Sequence, residues 1–296
     1  MFSEDLDHPL VHGGGLVAAQ RLFTDAPQPF IDLSTGINPY SYPLPQLPHD
    51  LFTRLPDPEL LAAVATIAAR SYGAPSPAHV VPAPGTQVLL PLVAALLRPS
   101  SAAVVAPTYR EHARAAALAG HRVAAFADLA AAREAMLVIV TNPNNPNGRL
   151  FDKNELIALA KRLATRGGFL VVDEAFMEVG PPDASLAGEV GRNAIVVLRS
   201  FGKFFGLAGI RLGFALAAPP LAARLSAKLQ VPRPGVLRQS GVLLPRQQST
   251  AGLVGKGRRP GPGSGEHRRR SHDPRTRSHA PGHRLLQADH ADPDER

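Results

Sequence analysis

The chain has 296 residues, no cysteine and a formal net charge of +8. This length suits one large domain accompanied by a smaller one. The absence of cysteine excludes disulfides, thiolate metal sites and a cysteine nucleophile. No apolar run is long enough to cross a bilayer, and the first eight residues are acidic rather than signal-like, so we expect a cytoplasmic protein with no membrane partner.

The positive charge is concentrated in the last part of the sequence. Residues 231–296 contain 13 of the 32 Lys and Arg residues but 6 of the 24 Asp and Glu residues, which leaves the rest of the chain almost neutral. The same segment contains no Phe, Tyr, Ile, Met or Trp, so its composition does not favour a packed core. Basic residues without interleaved aromatic residues give only nonspecific attraction to nucleic acid, so we predict no specific nucleic-acid partner.

Glycine and proline punctuate residues 1–50, which predicts an extended arm with a short helix near residues 16–23. The arm carries His12-Gly13-Gly14-Gly15, which is typical of a flexible turn, of a backbone cradle for an anion, or of the oxyanion loop of an esterase. An esterase would also need Gly-x-Ser-x-Gly, which is absent. The turn and the cradle remain open.

Helical spacing of apolar residues begins after Asp57 and continues to Tyr72. Further along, Gly85-Thr86-Gln87 opens an apolar helix that we expect to reach Leu97. A glycine turn at a helix start presents unpaired N–H groups and the positive end of the helix dipole, which suits a phosphate. Gly85, Thr86 and Gln87 are therefore candidate phosphate-binding residues, although glycine also begins many helices for local reasons.

The following residues alternate between strand and helix patterns, which predicts an α/β fold with a mainly parallel sheet. Asp152 and Glu155 form a plausible capping box at the start of one of these helices. The predicted strands lie at about 101–106, 121–126, 136–141, 168–173, 193–199 and 210–217, and the predicted helices at about 110–119, 152–166 and 219–229.

Polar residues follow four of these predicted strands. Tyr109 follows the first, Asn145 the third, and Asp173 ends the fourth, while Ser200 and Lys203 follow the fifth. The carboxyl ends of parallel strands meet at one edge of a sheet, where open α/β folds bind their ligands. We therefore expect these side chains to converge on one site.

The segment Ser200-Phe201-Gly202-Lys203, with Arg211 shortly after it, predicts a site for pyridoxal phosphate. A lysine whose pKa is lowered by burial or by neighbouring cations can form a Schiff base. An arginine grips a phosphate bidentately and the serine hydroxyl adds a hydrogen bond. Ser-x-x-Lys also occurs in penicillin-recognising enzymes, but their Ser-Asp-Asn and Lys-Thr-Gly partners are absent. An ordinary surface loop is the other alternative.

The remaining candidates have matching roles. Asp173 would keep the pyridine nitrogen protonated, Asn145 would hydrogen-bond the phenolic oxygen, and Tyr109 would stack on the ring. Taken singly, Asp173 is equally compatible with a carboxylate that caps a turn, Asn145 with an ordinary loop residue, and Tyr109 with a tyrosine packed in the core. An Asp-Glu pair after a strand also occurs in ATPases, but no Gly-x4-Gly-Lys-Ser/Thr loop accompanies it, and we predict no metal site.

Three motifs together resemble the fold-type I pyridoxal-phosphate enzymes, in particular the histidinol-phosphate aminotransferase-like group: Asn145-Pro-Asn-Gly148, Asp173-Glu-Ala-Phe176, and Ser200-x-x-Lys203 with Arg211. The resemblance covers about residues 8–230. It implies an arm at 1–50 that contributes to the substrate site and a cofactor-binding large domain at 51–230. An atypical segment at 231–296 then stands in place of the usual small domain, and we interpret it as a shifted reading frame, an otherwise altered terminus or a disordered tail.

Within that group the sequence is most similar to the threonine-phosphate decarboxylase branch, through His12-Gly13-Gly14, residues 32–39 and Phe176, where aminotransferases usually have tyrosine. The resemblance implies decarboxylation of L-threonine O-3-phosphate to (R)-1-amino-2-propanol O-2-phosphate in cobalamin biosynthesis, by a homodimer. It also implies that Phe176 contacts the cofactor and that His12, Gly13 and Asn38 recognise the substrate. An aminotransferase of the histidinol-phosphate type, or an inactive cofactor-binding remnant, is the alternative.

Overall fold

The computed structural model describes Leu10 and residues 12–229. Within this range the predicted α/β architecture is confirmed, with one seven-stranded, mostly parallel sheet. The prediction for residues 231–296 lies outside the described range. The helices are α1 Leu16–Leu22, α2 Asp50–Thr53, α3 Pro58–Tyr72, α4 Thr86–Ala94, α5 Glu111–Leu118, α6 Leu129–Ala132, α7 Lys153–Ala164 and α8 Pro219–Lys228. The strands are β1 Val80–Ala83, β2 Ser101–Val105, β3 Arg122–Phe126, β4 Leu137–Thr141, β5 Phe169–Asp173, β6 Ile195–Ser200 and β7 Gly213–Ala217.

The strand order is β1-β7-β6-β5-β4-β2-β3. Strands β2 to β6 pair in parallel, whereas β7 is antiparallel to both of its neighbours, β6 and β1. Gly213, the first residue of β7, therefore pairs with Ala83 at the end of β1 and with Ser200 at the end of β6. As a result the start of β7 lies at the same edge of the sheet as the ends of the other strands.

Both faces of the sheet are covered by apolar side chains. Successive strand residues point to opposite faces, so Val138 and Val140 pack into one core while Leu137 and Ile139 pack into the other. Residues of α3 and α7 belong to the first core, and residues of α4, α5 and α8 belong to the second. Continuous apolar runs in the central strands are explained by this burial on both sides.

Strand β1 was not predicted from the sequence, and the predicted start of β7 was three residues too early. Strand β1 has four residues, one of which is Pro82, and this residue lacks the N–H that a central strand requires. Because β1 lies at the end of the strand order, the missing donor is tolerated there.

The ends of the helices follow local signals. Asp57 caps α3 by accepting from Glu59 N, and Gly73 ends it with φ 75°. Asp152 caps α7 by accepting from Asn154 N and Glu155 N, as its sequence predicts. Helix α4 ends at Ala94, three residues before the predicted Leu97. None of the helices described is long and apolar enough to cross a bilayer.

Candidate active site

A cavity of about 250 Å³ lies where β1, β5 and β6 end and β7 begins. The sheet topology explains why residues distant in sequence meet there, because each of these strands delivers its flanking loop to one edge. Eleven of the predicted site residues line the cavity: His12, Gly85, Thr86, Gln87, Tyr109, Asn145, Asp173, Phe176, Ser200, Lys203 and Arg211.

Lys203 is half-buried at this cavity, and its Nζ lies 5.9 Å from the centre of the Phe176 ring. Burial lowers the pKa of the Lys203 amine below its ordinary value, and the Arg211 guanidinium lowers it further, while Asp173 acts in the opposite direction. The balance favours the neutral amine more than in an exposed lysine. A neutral amine is the nucleophilic form.

Arg211 and Gly85 lie against each other on one side of the cavity. Gly85 has φ 87°, and a Cβ added there would lie 3.0 Å from Arg211 Nη2. Arg211 itself has φ 54°, the left-handed conformation that non-glycine residues rarely adopt outside special sites. These two constraints place a guanidinium group beside the first turn of α4.

A second glycine, Gly213, allows β7 to pack closely against α4 at this side of the cavity. A Cβ on Gly213 would lie 2.5 Å from Thr86 N, so only glycine lets the start of β7 pack against the start of α4. Ser200, which pairs with Gly213 in the sheet, contributes its hydroxyl to the same wall of the cavity. A guanidinium, a hydroxyl and a helix start thus form an anion-binding corner.

Asp173 is oriented by two partners. Its Oδ1 accepts from Ala175 N at 3.0 Å, and its Oδ2 lies 3.1 Å from Nε2 of the buried His112. The same His112 nitrogen lies 3.2 Å from Thr141 Oγ1, and Nδ1 has no partner among the described residues. Sequence analysis missed His112, which lies in the first turn of α5, three residues after Tyr109.

Tyr109 lies between Gln87 of α4 and His12 of the arm. Its hydroxyl donates to Gln87 Oε1 at 3.1 Å, and its ring packs edge-on against His112. Burial raises the pKa of Tyr109 to about 12, and the neighbouring carboxylates of Glu111 and Asp173 add to this effect. Tyr109 is therefore a neutral hydrogen-bond donor with an aromatic face at the cavity.

The arm contributes His12 to the cavity. His12 Nε2 lies 2.9 Å from Oε1 of Glu111, a buried carboxylate in the first turn of α5, and its ring is 6.0 Å from that of Tyr109. Glu111 was not among the predicted site residues. Nothing in its sequence context distinguishes it from an ordinary acidic residue at a helix start.

Two predicted substrate residues lie outside this cavity. Gly13 packs against the backbone of Ser34, whose carbonyl oxygen would lie 2.1 Å from an added Cβ. Asn38 lines a neighbouring cavity of about 270 Å³, whose walls include Lys203 and Phe176. Gly36 lies below Phe176, where a Cβ would come within 2.9 Å of the ring. The predicted substrate contacts of Gly13 and Asn38 stay predictions.

The residues present fit pyridoxal phosphate. The anion-binding corner suits its phosphate, Asp173 suits its pyridine nitrogen, and the Lys203 amine suits its aldehyde. Gly85 is the most direct indication, because a Cβ there would lie 3.0 Å from the guanidinium of Arg211. Among the residues that the structure describes, no group of three His, Asp or Glu side chains is placed to hold a metal ion.

Comparison with known sequences supports the same class of protein. Residues 43–242 match the aminotransferase class I and II family. Over 218 residues the chain is 44% identical to a threonine-phosphate decarboxylase from Sinorhizobium sp, covering 73% of this chain and 65% of that protein. Over 223 residues it is 42% identical to a threonine-phosphate decarboxylase from Pseudomonas aeruginosa, covering 74% and 66%. The match thus spans about two thirds of the length of these relatives.

Comparison with solved structures agrees on the fold. The histidinol-phosphate aminotransferase from Sinorhizobium meliloti, solved with pyridoxal 5'-phosphate, superposes with a TM-score of 0.62 and 25% identity. The superposition covers 80% of this chain and 70% of that one. The α/β fold described above is therefore of the aminotransferase type.

Proposed function

This chain belongs to the aminotransferase class I and II family, and we propose that it uses pyridoxal phosphate to decarboxylate L-threonine O-3-phosphate to (R)-1-amino-2-propanol O-2-phosphate. The observation that carries this proposal is the identity of 44% and 42% to two threonine-phosphate decarboxylases over almost three quarters of the chain. The place of this reaction in cobalamin biosynthesis stays a prediction from the resemblance.

Binding of the cofactor is assigned to two walls of the cavity. Ser200, Arg211 and the N–H groups of Thr86 and Gln87 would bind its phosphate, because they combine positive charge with oriented donors, whereas the Gly85 N–H already donates to Ala83 O at 2.7 Å. Tyr109 and Asn145 contact the ring and its oxygen. When bound, pyridoxal phosphate supplies a protonated ring that accepts the electron pair released at the substrate α-carbon.

Asp173 holds the proton on the ring nitrogen in this proposal. His112 and Ala175 N fix the direction of its carboxylate, so the charge is aimed into the cavity rather than free to rotate. A fixed charge stabilises the electron-rich state without reorganisation at the moment of reaction. His112 is accordingly assigned as a positioning residue for Asp173.

Lys203 has two tasks in the reaction. Its neutral amine would attach the cofactor before substrate arrives, and its lowered pKa makes that form more accessible than in an exposed lysine. In the decarboxylation the bond between the α-carbon and the carboxylate would break, carbon dioxide would leave, and the released electron pair would be taken up by the protonated ring. Lys203 Nζ, once the substrate amine has replaced it and passed it a proton, would deliver that proton to the α-carbon.

Recognition of the substrate is assigned to the arm. His12, held by Glu111 at the mouth of the cavity, contacts the polar groups of the substrate, with Gly13 and Asn38 as further predicted contacts. Phe176, in place of the tyrosine usual in aminotransferases, offers no hydroxyl to the cofactor ring. We infer that this apolar wall next to Lys203 favours loss of carbon dioxide over transfer of the amino group.

The decisive assay uses the purified full chain with pyridoxal phosphate and carboxyl-labelled L-threonine O-3-phosphate. We expect labelled carbon dioxide in the wild type and none in Lys203→Ala. Lys153→Ala is the matched control, since this lysine pairs with Glu189 away from the cavity, and it should keep full activity. Amino transfer to a keto acid without carbon dioxide would instead establish the aminotransferase alternative, and cofactor binding without either product would establish an inactive remnant.

We also propose that the chain acts as a homodimer. Most of the large apolar side chains exposed in the described residues lie in or next to the arm. Tyr40 is 85% exposed and Leu55 is 86% exposed, so each leaves a large apolar side chain open to a partner. A second copy of the chain is the partner that the resemblance implies for this surface.

A further inference from the structure

The loop that carries Lys203 is bound to a distant part of the sequence. We call residues 201–206 the lysine loop and residues 36–42 the brace. The two segments are joined by the following hydrogen bonds: Asn38 N to Lys203 O at 3.0 Å, Asn38 Nδ2 to Phe204 O at 2.8 Å, Tyr42 N to Phe205 O at 2.8 Å, and Ser41 Oγ to Gly206 O at 2.8 Å.

Asn38 makes two of these bonds, and they fall on consecutive carbonyl groups. Its backbone N–H donates to Lys203 O, and its side-chain amide donates to Phe204 O. Asn38 Oδ1 accepts from Tyr40 N at 2.9 Å, which fixes the side chain in the orientation that the Phe204 bond needs. Both peptide groups that follow the Cα of Lys203 are therefore held by one residue.

The lysine loop is shaped to accept this contact. Gly206 has φ 65°, and a Cβ there would lie 2.6 Å from Asn38 O. Gly202 lies so close to Ala208 that an added Cβ would come within 2.9 Å of its Cα. Glycine at both ends of the loop thus allows it to pack tightly between the brace and the residues that lead to Arg211.

The position of the Lys203 amine depends on this anchoring. A lysine side chain has several rotatable bonds, so the point and direction from which its backbone starts decide how often Nζ reaches a given place. The hydrogen bonds from Asn38 fix that starting point. The side-chain amide of Asn38 is also committed within the chain, at its nitrogen and at its oxygen, instead of being presented to the cavity.

We propose that Asn38 is a positioning residue for Lys203, which holds the lysine loop so that Nζ is presented to the aldehyde of the cofactor. The inference rests on the proposed function, because it requires that Lys203 attaches a cofactor. It concerns the attachment step, in which the amine and the aldehyde form a carbon–nitrogen double bond and release one water.

The test measures attachment directly rather than turnover. The full chain is mixed with pyridoxal phosphate, the bond is reduced by borohydride after increasing times, and the adduct on Lys203 is quantified by mass spectrometry. We expect Asn38→Ala to form the adduct about fivefold more slowly, the effect of losing one net hydrogen bond. Asn38→Asp should be at least as slow, because it places a carboxylate oxygen against the Phe204 carbonyl.

Two controls separate positioning from general damage. Pyridoxamine phosphate carries an amine in place of the aldehyde, so its binding reports the phosphate corner and the ring contacts alone; its affinity should be the same in Asn38→Ala and wild type. Ser41→Ala removes a hydrogen bond of equal length from the far end of the lysine loop and should attach the cofactor at nearly the wild-type rate.

Each other outcome overturns the inference in a distinguishable way. Attachment at the wild-type rate in Asn38→Ala would show that Asn38 does not position Lys203. A parallel loss of pyridoxamine phosphate affinity, or an equal effect of Ser41→Ala, would show a general role of the brace in folding. Absence of the adduct in the wild type would instead overturn the proposed function itself.

Discussion

At the scale of single residues, the chemistry depends on Lys203 and the charges around it. Burial is the largest cause that lowers the pKa of its amine, Asp173 opposes it, and Arg211 reinforces it. The same carboxylate and guanidinium are the groups assigned to the two ends of the cofactor. The charges proposed to bind the cofactor therefore also influence the protonation state of the lysine proposed to attach it.

The first prediction concerns this balance. In the absence of cofactor, Lys203 should be acylated with a pH midpoint below that of a lysine in a short peptide, because a lowered pKa leaves the amine neutral at lower pH. Arg211→Gln should move the midpoint up, and Asp173→Asn should move it further down. The rate of acylation at Lys203, followed by mass spectrometry as a function of pH, measures all three, and shifts in the same direction for both variants would contradict the assignment.

The second prediction concerns the anion-binding corner. Gly85→Ala should weaken binding of pyridoxal phosphate about tenfold, because the added methyl group meets Arg211 Nη2 at 3.0 Å and φ 87° is strained for alanine. Gly167→Ala is a matched control, since Gly167 has φ 75° but an added Cβ would meet nothing within 4 Å. Equilibrium titration of both variants separates the loss of contact from the backbone strain that they share. Equal affinities would contradict a direct role of this corner.

At the scale of elements, the residues at the end of β5 project to both faces of the sheet. Consecutive residues point to opposite sides, so Asp173 faces the cavity while Glu174 faces the core that contains α3 and α7. There Glu174 Oε2 accepts from Arg199 Nη1 at 2.7 Å, and Oε1 accepts from Leu186 N at 2.7 Å. Arg199, on β6, also pairs with Glu178 at 2.9 Å. A buried ion cluster thus holds the strand end from which Asp173 projects.

The third prediction tests this cluster. Glu174→Gln should lower the free energy of unfolding by about 3 kcal/mol, because it removes one carboxylate from a buried arginine that keeps its charge. Glu134→Gln serves as the control, since the Glu134 side chain is 75% exposed and its pair with Arg166 should contribute less than about 1 kcal/mol. Urea unfolding followed by circular dichroism gives both values, and similar small losses would show that the buried cluster adds little stability.

At the scale of the whole molecule, most of the large apolar side chains exposed in the described residues lie in or next to the arm. Phe52, in α2, is 62% exposed and Leu55, just after it, is 86% exposed, in contrast to the buried central strands of the sheet. Exposed apolar groups of this size are covered in oligomers, where their burial contributes to association. The homodimer is therefore a proposal that belongs to this scale.

The fourth prediction follows from that surface. Phe52→Asp combined with Leu55→Asp should shift sedimentation of the full chain from dimer to monomer, because two carboxylates would have to be buried without partners. Leu118→Asp is the control, because Leu118 is 50% exposed at the last residue of α5, at the opposite end of this helix from Glu111, which contacts the arm. A wild-type chain that sediments as a monomer, or a dimer unaffected by the double variant, would contradict the proposal.

The C-terminal segment also belongs to the whole molecule. The family match ends at residue 242, inside the segment that composition marks as atypical. The interpretation of residues 231–296 as a shifted reading frame stays a prediction. A nucleotide sequence that continues in frame without any family-like domain in another frame would contradict it.

The sequence alone determined the class of fold and most of the site. Alternating strand and helix patterns follow from local periodicity, and the polar residues after each strand follow from parallel topology, so Lys203, Asp173 and Arg211 were identifiable without coordinates. Short motifs of this kind can be recognised because their residues are close together in the sequence. For the same reason the cap at Asp152 was readable from a few positions.

Only the tertiary structure decided what depends on contacts between distant segments. The antiparallel direction of β7 brings Arg211 to the rim, and local pattern does not encode strand direction. The pairing of His112 with Asp173, of Glu111 with His12, and of Asn38 with the lysine loop each joins residues that have no fixed spacing in sequence. Packing in three dimensions decides which residues contact each other inside the protein. The amino-acid sequence gives the type of each residue but not its spatial neighbours.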